Sequence, residues 1–380
     1  MMIKTTELRY TSLKPIKTKK LMNMSLITQK INPSTIGLKW SWSCSSLKND
    51  KTEYQIQDMS SSNQDPMPQV GDVAIFRIKK IGKHRNLVSH DNKQMRLYEN
   101  DLFVGVFGNR YASDAFEGRV RNLDKISMLT AAGMVGTVRY RNKNVKRSTK
   151  ISFEGYLCDD KDNRVNLKKR MFKKNSSMKN NTLKNLVLVV GSGMNSGKTT
   201  TACKLIHQLS KKDLKVSGCK LTGSVSHRDK YDMMSAGSSI GLDFSDYGFP
   251  STYLCSEDEL MDLFYTMLSD IHEKTDPDVT VMEIADGILQ RETAFLLKNK
   301  DIQNMTKGIV LASPDALSAL YSVEQLQKIN YNILAVSGAI TSSPLSCKEF
   351  QKKEKKIPLA SSAPDCGDEL GETISATILN

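Results

Sequence analysis

A glycine-rich segment that ends in a lysine and two threonines could perform chemistry. The segment Gly191-Ser-Gly-Met-Asn-Ser-Gly-Lys-Thr-Thr follows an apolar, β-branched run and precedes a helix-like stretch. This order indicates a phosphate-binding loop, in which backbone N–H groups surround phosphates, a lysine reaches the terminal ones and a hydroxyl holds Mg²⁺. The positive end of the following helix favours the same anion. The residues predicted to bind a nucleotide are Gly191, Gly193, Asn195, Ser196, Gly197, Lys198, Thr199 and Thr200.

The spacing of the glycines departs from the common pattern in one place. That pattern has a glycine five residues before Gly197, where this sequence has Ser192, with Gly191 and Gly193 on either side. The alternative is a glycine-rich turn followed by a chance Lys-Thr pair. Because strand, glycines, lysine, threonine and helix occur in the required order, the phosphate-binding interpretation is preferred.

Charged residues end the next two predicted strands of this half. Lys220 ends one strand, 22 residues after Lys198, and Glu283 ends the other, with Asp286 just beyond it. Parallel strands end at one edge of a sheet, so Lys220 would lie near Lys198. There the two ammonium groups would neutralise a transferring phosphoryl group. The alternative is that Lys220 is an ordinary surface lysine. Glu283, with Asp286 as the second choice, would hold Mg²⁺ together with Thr199. The predicted catalytic residues are Lys198, Lys220 and Glu283.

Further candidates lie in connecting segments. The connection between the strands that end at Lys220 and Glu283 is long, as lids and substrate loops often are. Within it, Asp229 is a candidate Mg²⁺ ligand, and helix capping is the alternative. The segment 108–118 is either a substrate loop or a turn fixed by side-chain hydrogen bonds. Ser337 and Gly338 would cradle a nucleotide base. The candidate substrate contacts are Asp243, Asp246, Ser251, Thr252, Arg291, Asn109 and Arg110.

The elements that must position these residues alternate after residue 185. Alternating strands and helices predict an α/β domain with right-handed β-α-β units and a mainly parallel sheet, in which ligands bind at the carboxyl ends of the strands. The predicted strands are 185–191, 215–221, 279–284, 308–312 and 332–337. The predicted helices are about 198–211, 258–271, 289–299 and 315–329.

The chain before residue 185 has a different pattern. Residues 68–172 alternate short strand-like runs with Gly, Asn and Asp breaks, which predicts a small β-rich barrel or sandwich domain. Its predicted strands lie near 70–78, 96–98, 101–107 and 133–140. Residues 173–184 have linker composition, and 1–67 form a partly disordered extension. Within that extension, residues 36–44 predict a strand with Trp40 and Trp42 packing on one face. The nucleotide-binding domain is expected over 185–380.

Charge and cysteine content limit the partners and the compartment. Of the net charge of +14 over 380 residues, 35 Lys and Arg against 16 Asp and Glu give +19 in residues 1–182, and 20 against 25 give −5 in the rest. The basic half could attract nucleic acid, but no nucleic-acid-binding motif accompanies it, so a lysine-rich solvated surface is preferred. Seven scattered cysteines and the lack of a long apolar run favour a reduced, cytoplasmic protein without a membrane span or secretion signal.

Several motifs together resemble a known group. The loop, Lys220 and Glu283 resemble the dethiobiotin synthetase-like branch of P-loop NTPases. The segments 191–200, 243–253, 283–292 and 337–345 are similar to a bacterial family labelled P-loop NTPase, DUF1611-related or molybdopterin-guanine dinucleotide biosynthesis protein B-like. Gly71-Asp-Val and 108–118 extend the similarity into the β-rich domain. The resemblance implies that Lys198 and Lys220 bind phosphate and substrate, and that Glu283 binds Mg²⁺.

The sequence differs from dethiobiotin synthetase at two places. Met194-Asn-Ser replaces a loop that contains an acid, and Glu283-Ile-Ala-Asp-Gly replaces Glu-Gly-Ala-Gly-Gly. For this reason the diaminopelargonate substrate is not carried over.

The expected function is that of a Mg²⁺-dependent enzyme which uses ATP, or GTP as the alternative, to phosphorylate or activate a small acidic metabolite. A homodimer is compatible with this expectation. Two other functions stay open: a nucleotide-switched binding protein for cofactor delivery or assembly, and an N-acyltransferase on the same scaffold.

Overall fold

The computed structural model describes residues 31, 34–35, 37–47, 53–57, 67–175, 185–361 and 369–378. Most of the predicted extension 1–67, with its predicted disorder, and most of the linker 173–184 lie outside these residues. Within the described part of the chain, the structure has no helix with both the length and the apolar character that crossing a membrane requires.

The first half is built from short strands. In chain order they are β1 (Leu38–Trp40), β2 (Gln55–Gln57), β3 (Val73–Lys80), β4 (Asn86–Val88), β5 (Gln94–Arg96), β6 (Leu102–Phe107), β7 (Phe116–Arg119), β8 (Ile126–Met128), β9 (Met134–Arg141) and β10 (Thr149–Cys158), followed by the helix α1 (Leu167–Met171). All of these strands except the β4–β5 hairpin belong to one eight-stranded sheet.

The sheet closes on itself. Strand β3 pairs with β6 and β10, β8 joins β10 to β9, and β9 pairs with β6, so that five strands form a ring. Alternation along β3 explains the two cores: Phe76 points to a cluster with Phe103 and Phe107, whereas Val73 and Ile75 point to the opposite face. The ring centroid of Phe76 lies 5.4 Å and 5.2 Å from those of the other two phenylalanines. The sequence predicted either a barrel or a sandwich, and the closed ring of strands makes this sheet a barrel.

Part of the predicted extension joins this sheet. Strand β1 pairs in parallel with β6, and β2 pairs antiparallel with β10. The strand predicted over 36–44 is correct only for β1, because a 3₁₀ helix begins at Trp42 and runs to Leu47. Trp40 and Trp42 are both buried, as expected, but they pack into different clusters and do not share a face.

The second half alternates strands and helices. In chain order they are β11 (Leu186–Gly191), α2 (Lys198–Ser210), β12 (Val216–Lys220), α3 (Asp229–Ser235), β13 (Gly241–Asp243), α4 (Glu257–Thr275), β14 (Val279–Ile284), α5 (Arg291–Lys298), α6 (Lys300–Met305), β15 (Thr306–Ala312), α7 (Ala316–Lys328), β16 (Ile333–Ser337), α8 (Pro344–Lys353) and α9 (Glu369–Ile378). The six strands form a parallel sheet in the order β13-β12-β14-β11-β15-β16. This confirms the predicted α/β class.

The strand that leads into the glycine-rich loop is central in this sheet. All six residues of β11 are buried, since Leu186, Leu188 and Val190 pack on one side and Val187 and Val189 on the other. An apolar, β-branched run suits a parallel strand covered by helices on both faces. Strand β14 lies between β11 and β12, and therefore the ends of all three strands meet at one edge.

Side chains from the two halves contact each other. The indole N–H of Trp42 donates to the carbonyl oxygen of Ser226 at 3.2 Å. The amide of Asn195 donates to Asp114 at 3.0 Å, which attaches the 108–118 segment to the glycine-rich loop. These contacts place the barrel beside the carboxyl edge of the parallel sheet.

We expect Trp40→Ala to lower the free energy of unfolding by about 3–5 kcal/mol, because it empties a fully packed site between β1 and the barrel. Trp40 is 1% exposed and its indole lies 6.1 Å from the ring of Tyr54. Urea denaturation of the full chain measures the change. Tyr140→Ala is the control, since Tyr140 is 67% exposed, and should change stability by less than about 0.5 kcal/mol. Equal effects of the two substitutions would show that β1 does not contribute to the barrel core.

Candidate functional site

The glycine-rich loop connects β11 to α2 at the carboxyl edge of the sheet. The loop turns through Asn195 and Gly197, whose φ angles of 58° and 95° lie in the left-handed region. Gly197 is the N-cap residue of α2, so Lys198 is the first residue of a helix of 13 residues. The helix therefore directs the free N–H groups of its first turn towards the loop.

The loop has the shape and the donors that a phosphate group requires. A side chain at Gly191 would lie 2.9 Å from Cδ of Lys198 and against Ser196 Oγ, so only glycine leaves this space open. The hydroxyl of Ser196 is buried and has no hydrogen-bond partner among the described residues. The ammonium of Lys198 donates to the carbonyl oxygen of Gly193 at 2.8 Å, across the loop. These residues fit a phosphate chain.

A buried carboxylate organises the charged groups beside the loop. One oxygen of Glu283 accepts a hydrogen bond from the hydroxyl of Thr199 at 2.9 Å. Its other oxygen is 3.1 Å from the ammonium of Lys220, which lies opposite Glu283 in the β12–β14 register. Lys220 also forms an ion pair of 2.5 Å with Asp229, the first residue of α3. The three predicted catalytic residues and Thr199 thus come together.

The local electrostatics favour an added anion. Burial and the positive charge of Lys220 lower the pKa of Lys198, although Glu283 and Asp286 oppose the shift. A bound polyanion would favour the charged form of Lys198. For Lys220, burial disfavours the charged form, but the attraction of Glu283 and Asp229 outweighs it and raises the pKa of Lys220. Burial raises the pKa of Asp286 although both lysines oppose it.

Two residues could hold Mg²⁺, whereas the third predicted ligand, Asp229, has an ion pair of its own. The hydroxyl of Thr199 and the carboxylate of Glu283 are adjacent oxygen donors of the kind that Mg²⁺ prefers. Asp229 instead pairs with Lys220 and accepts from Ser226 Oγ at 3.1 Å, so the structure gives it a positioning contact. Among the described residues, no group of three or more His, Cys, Asp or Glu side chains could hold a metal ion. Phosphate oxygens and water would complete the coordination.

Ser337 and Gly338, the residues predicted to bind the base, lie next to the glycine-rich loop and the helix that follows it. Ser337 is buried and its hydroxyl lies 3.4 Å from that of Thr201 on α2. The residue after Gly338, Ala339, donates its N–H to the carbonyl oxygen of Ser196 at 3.1 Å. Thr200 is exposed on the first turn of α2. Ser337 and Gly338 therefore lie against the backbone of the loop, and their contact with a base stays a prediction.

Most of the candidate substrate contacts have structural partners. Asp243 and Asp246 form the capping box of the 3₁₀ helix Phe244–Tyr247. Ser251 accepts from the N–H of Tyr253 at 3.0 Å. The other three are bonded as follows: Thr252 Oγ1 accepts from Gly223 N, Arg291 pairs with Glu292, and Asn109 Oδ1 accepts from Val120 N.

Arg110 is the candidate from the barrel that reaches the site. Its backbone pairs with Gly118, so residues 110–118 form a closed loop. Its guanidinium interacts electrostatically with Asp286 beyond the end of β14. Two residues not predicted from the sequence accompany it. Asp114 holds Asn195 from within the segment already singled out, whereas His84 is a lone histidine with no signal in the sequence.

The loop, its helix and the central parallel strand constitute a P-loop NTPase fold. No family model and no curated protein sequence matches the chain. Among solved structures, the signal recognition particle receptor FtsY from Elizabethkingia anophelis in complex with GDP is 14% identical, with 56% of this chain and 70% of that chain covered and a TM-score of 0.35.

Two further solved structures show similarly weak likeness. The signal recognition particle 54 kDa protein from Aeropyrum pernix in complex with GDP is 18% identical, with 56% of this chain and 50% of that chain covered and a TM-score of 0.33. The kinase domain of the Escherichia coli tyrosine kinase ETK is 16% identical, with 40% of this chain and 66% of that chain covered and a TM-score of 0.28. At this level the functional argument depends on the geometry of the site.

We expect the protein to lose stability between pH 6.5 and pH 4 partly through His84. Burial, with a contribution from Arg110, lowers the pKa of His84 from 6.5 to about 4, and its Nε2 is 2.9 Å from the carbonyl oxygen of Leu129. In this window the unfolded chain binds a proton that the folded protein does not. The free energy of unfolding therefore decreases as the pH is lowered from 6.5 to 4, by about 3 kcal/mol in total.

Urea denaturation at a series of pH values tests this prediction. His84→Gln should show a shallower pH dependence than the wild type, whereas His207→Gln, at an exposed site on α2, should not. An unchanged slope in His84→Gln would contradict the assignment.

Proposed function

We propose that this protein is a Mg²⁺-dependent enzyme that uses a nucleoside triphosphate, with ATP favoured, to phosphorylate or activate a small acidic metabolite. One observation carries the proposal: the buried carboxylate of Glu283 is bonded to both Thr199 and Lys220 next to the P-loop. The same three positions support the resemblance to the dethiobiotin synthetase-like and DUF1611-related group.

Each of these side chains has a distinct part in the proposed reaction. The loop amides, the N-terminus of α2 and Lys198 hold the phosphates. Thr199 and Glu283 hold Mg²⁺, which supplies charge neutralisation at the phosphates when bound. Lys220 is held between two carboxylates, so its ammonium is oriented before the reaction. It therefore needs little reorientation as negative charge develops on the transferred group.

The acceptor needs only a nucleophilic oxygen or nitrogen near Lys220. If its carboxylate attacks, an oxygen–phosphorus bond forms, the bond from that phosphorus to the bridging oxygen breaks, and the nucleoside diphosphate leaves. A carboxylate carries no proton to be removed. A hydroxyl or amine acceptor would pass its proton to a base, and Asp286, whose pKa burial raises, is the carboxylate placed beside Lys198 and Lys220.

Lys198→Ala should abolish the rise in melting temperature that Mg·ATP gives the wild type, because a ligand of the folded state stabilises it. It should also lower the rate of phosphoryl transfer by about 10²-fold or more. A thermal-shift screen of ATP, GTP and acidic metabolites with Mg²⁺ measures the first effect. Lys211→Ala, at an exposed lysine just after α2, is the matched control and should behave as the wild type. Unchanged Mg·ATP binding in Lys198→Ala would refute the site.

Glu283→Gln should weaken the Mg²⁺-dependent part of nucleotide affinity by about 10- to 100-fold, because it removes the charged oxygen next to Thr199. Calorimetric titrations with Mg²⁺ and with a chelator separate this part from metal-free binding, which should change little. Glu257→Gln, at an exposed glutamate of α4, is the control. If nucleotide binding by Glu283→Gln kept its full dependence on Mg²⁺, Glu283 would not be a ligand of the metal.

Two other results would redirect the proposal. Hydrolysis stimulated by a partner protein and by no metabolite would indicate a nucleotide-switched binding protein. Acyl transfer without any nucleotide would indicate an acyltransferase.

A further inference from the structure

A cavity of about 300 Å³ lies between the barrel and the parallel sheet. Arg110 and Ala131 line it from the barrel, and Lys220, His227 and Asp286 line it from the P-loop half. At about 30 Å³ each, it has room for roughly ten water-sized groups. This size suits a small metabolite. Because Lys220 is in its wall, the cavity opens directly onto the proposed phosphoryl-transfer site.

Arg110 is incompletely bonded within this cavity. Its guanidinium donates to the carbonyl oxygen of Leu129, and its buried Nε has no hydrogen-bond partner in the described part of the chain. Asp286 is near enough to interact with it electrostatically, but the two side chains form no ion pair. An arginine presents five N–H donors in a planar fork that matches a carboxylate. A buried arginine with free donors is costly unless an anion satisfies them.

The cavity around Arg110 has other charged and polar side chains. His84 and His227 line it, and Lys83 lies close enough to Arg110 for the two charges to repel. Burial lowers the pKa of Arg110, Lys83 and His84, and the positive charge of Arg110 adds to the shift of Lys83 and His84. Asp286 is the carboxylate in the cavity wall, and Asp114 is within electrostatic range of Arg110. A small anion would therefore be stabilised here.

We propose that this interdomain cavity is the acceptor site, that it takes a small dicarboxylic acid, and that Arg110 of the β-rich domain binds one of its carboxylates while Lys220 faces the reacting end. The identity of the reaction rests on the function proposed above. The assignment also gives the barrel a role: it supplies the substrate-recognition wall of an active site whose phosphate loop belongs to the other half.

Binding of defined small acids tests the proposal. Succinate and glutarate are titrated into the full chain by calorimetry, with succinamide as the uncharged analogue. The wild type should bind at least one diacid and not the diamide. Arg110→Gln should weaken that binding by about 10- to 100-fold, the loss expected for one charge-assisted pair. Arg121→Gln, at an exposed barrel arginine, should leave it unchanged.

A second pair of variants tests the same site independently, in case Arg110→Gln does not fold. Ala131→Glu places a negative charge in the cavity wall, and Ala131→Gln adds the same volume without the charge. Only the glutamate variant should lose diacid binding, by about 10-fold or more. Mg·ATP affinity, measured in every variant, reports both the fold and the nucleotide site.

The outcomes separate this proposal from the one it rests on. Failure of the wild type to bind Mg·ATP contradicts the proposed function, whether or not diacids bind. Normal Mg·ATP binding with no diacid binding, or with diacid binding that Arg110→Gln and Ala131→Glu leave intact, overturns the acceptor site. Loss of Mg·ATP affinity in a folded Arg110→Gln variant would assign the cavity to the nucleotide and also overturn it.

Discussion

The carboxylate of Glu283 is the group on which the organisation of the site depends. It is 1% exposed at the end of a central strand, and a charge in that position must be paired. Its two oxygens are used by Thr199 on α2 and Lys220 on β12, and Lys220 is in turn held by Asp229 on α3. One buried charge therefore fixes the relative positions of three elements around β14, including the helix that follows the P-loop. The same charges that stabilise the fold are the ones that a nucleotide and a divalent ion would meet.

The barrel contributes to this site although it carries no phosphate-binding motif. Residues 108–115, which precede β7, form a loop that faces the parallel sheet, where Asp114 contacts Asn195 and Arg110 interacts electrostatically with Asp286. The contact between the halves is polar at its edge and apolar where Trp42 packs against the P-loop half. A cavity with walls from two structural units is a common position for a ligand, because each unit can supply groups of different charge.

The distribution of charge has a local and a global component. The first 182 residues carry +19 and the remainder −5, yet the acidic half contains the lysines of the phosphate site. Lys198 and Lys220 are buried, so solvent and salt screen their charges less than they screen those of the many exposed lysines of the basic half. The net charge of a half of the chain is therefore a poor predictor of where that half binds an anion. The burial of two ammonium groups is a better one.

The sequence by itself determined the P-loop, the parallel α/β class and the strands that end at Gly191, Lys220 and Ile284, because glycine spacing, β-branched runs and strand–helix alternation are local patterns. It also indicated a β-rich first half, but it missed the longest strand, β10, which a bulge near Gly155 interrupts. Only the tertiary structure decided that Ser337 and Gly338 lie behind the loop, and that Arg110 and His84 face the site from the barrel. These outcomes depend on contacts between residues far apart in the chain, and no periodicity or motif within either segment encodes such contacts.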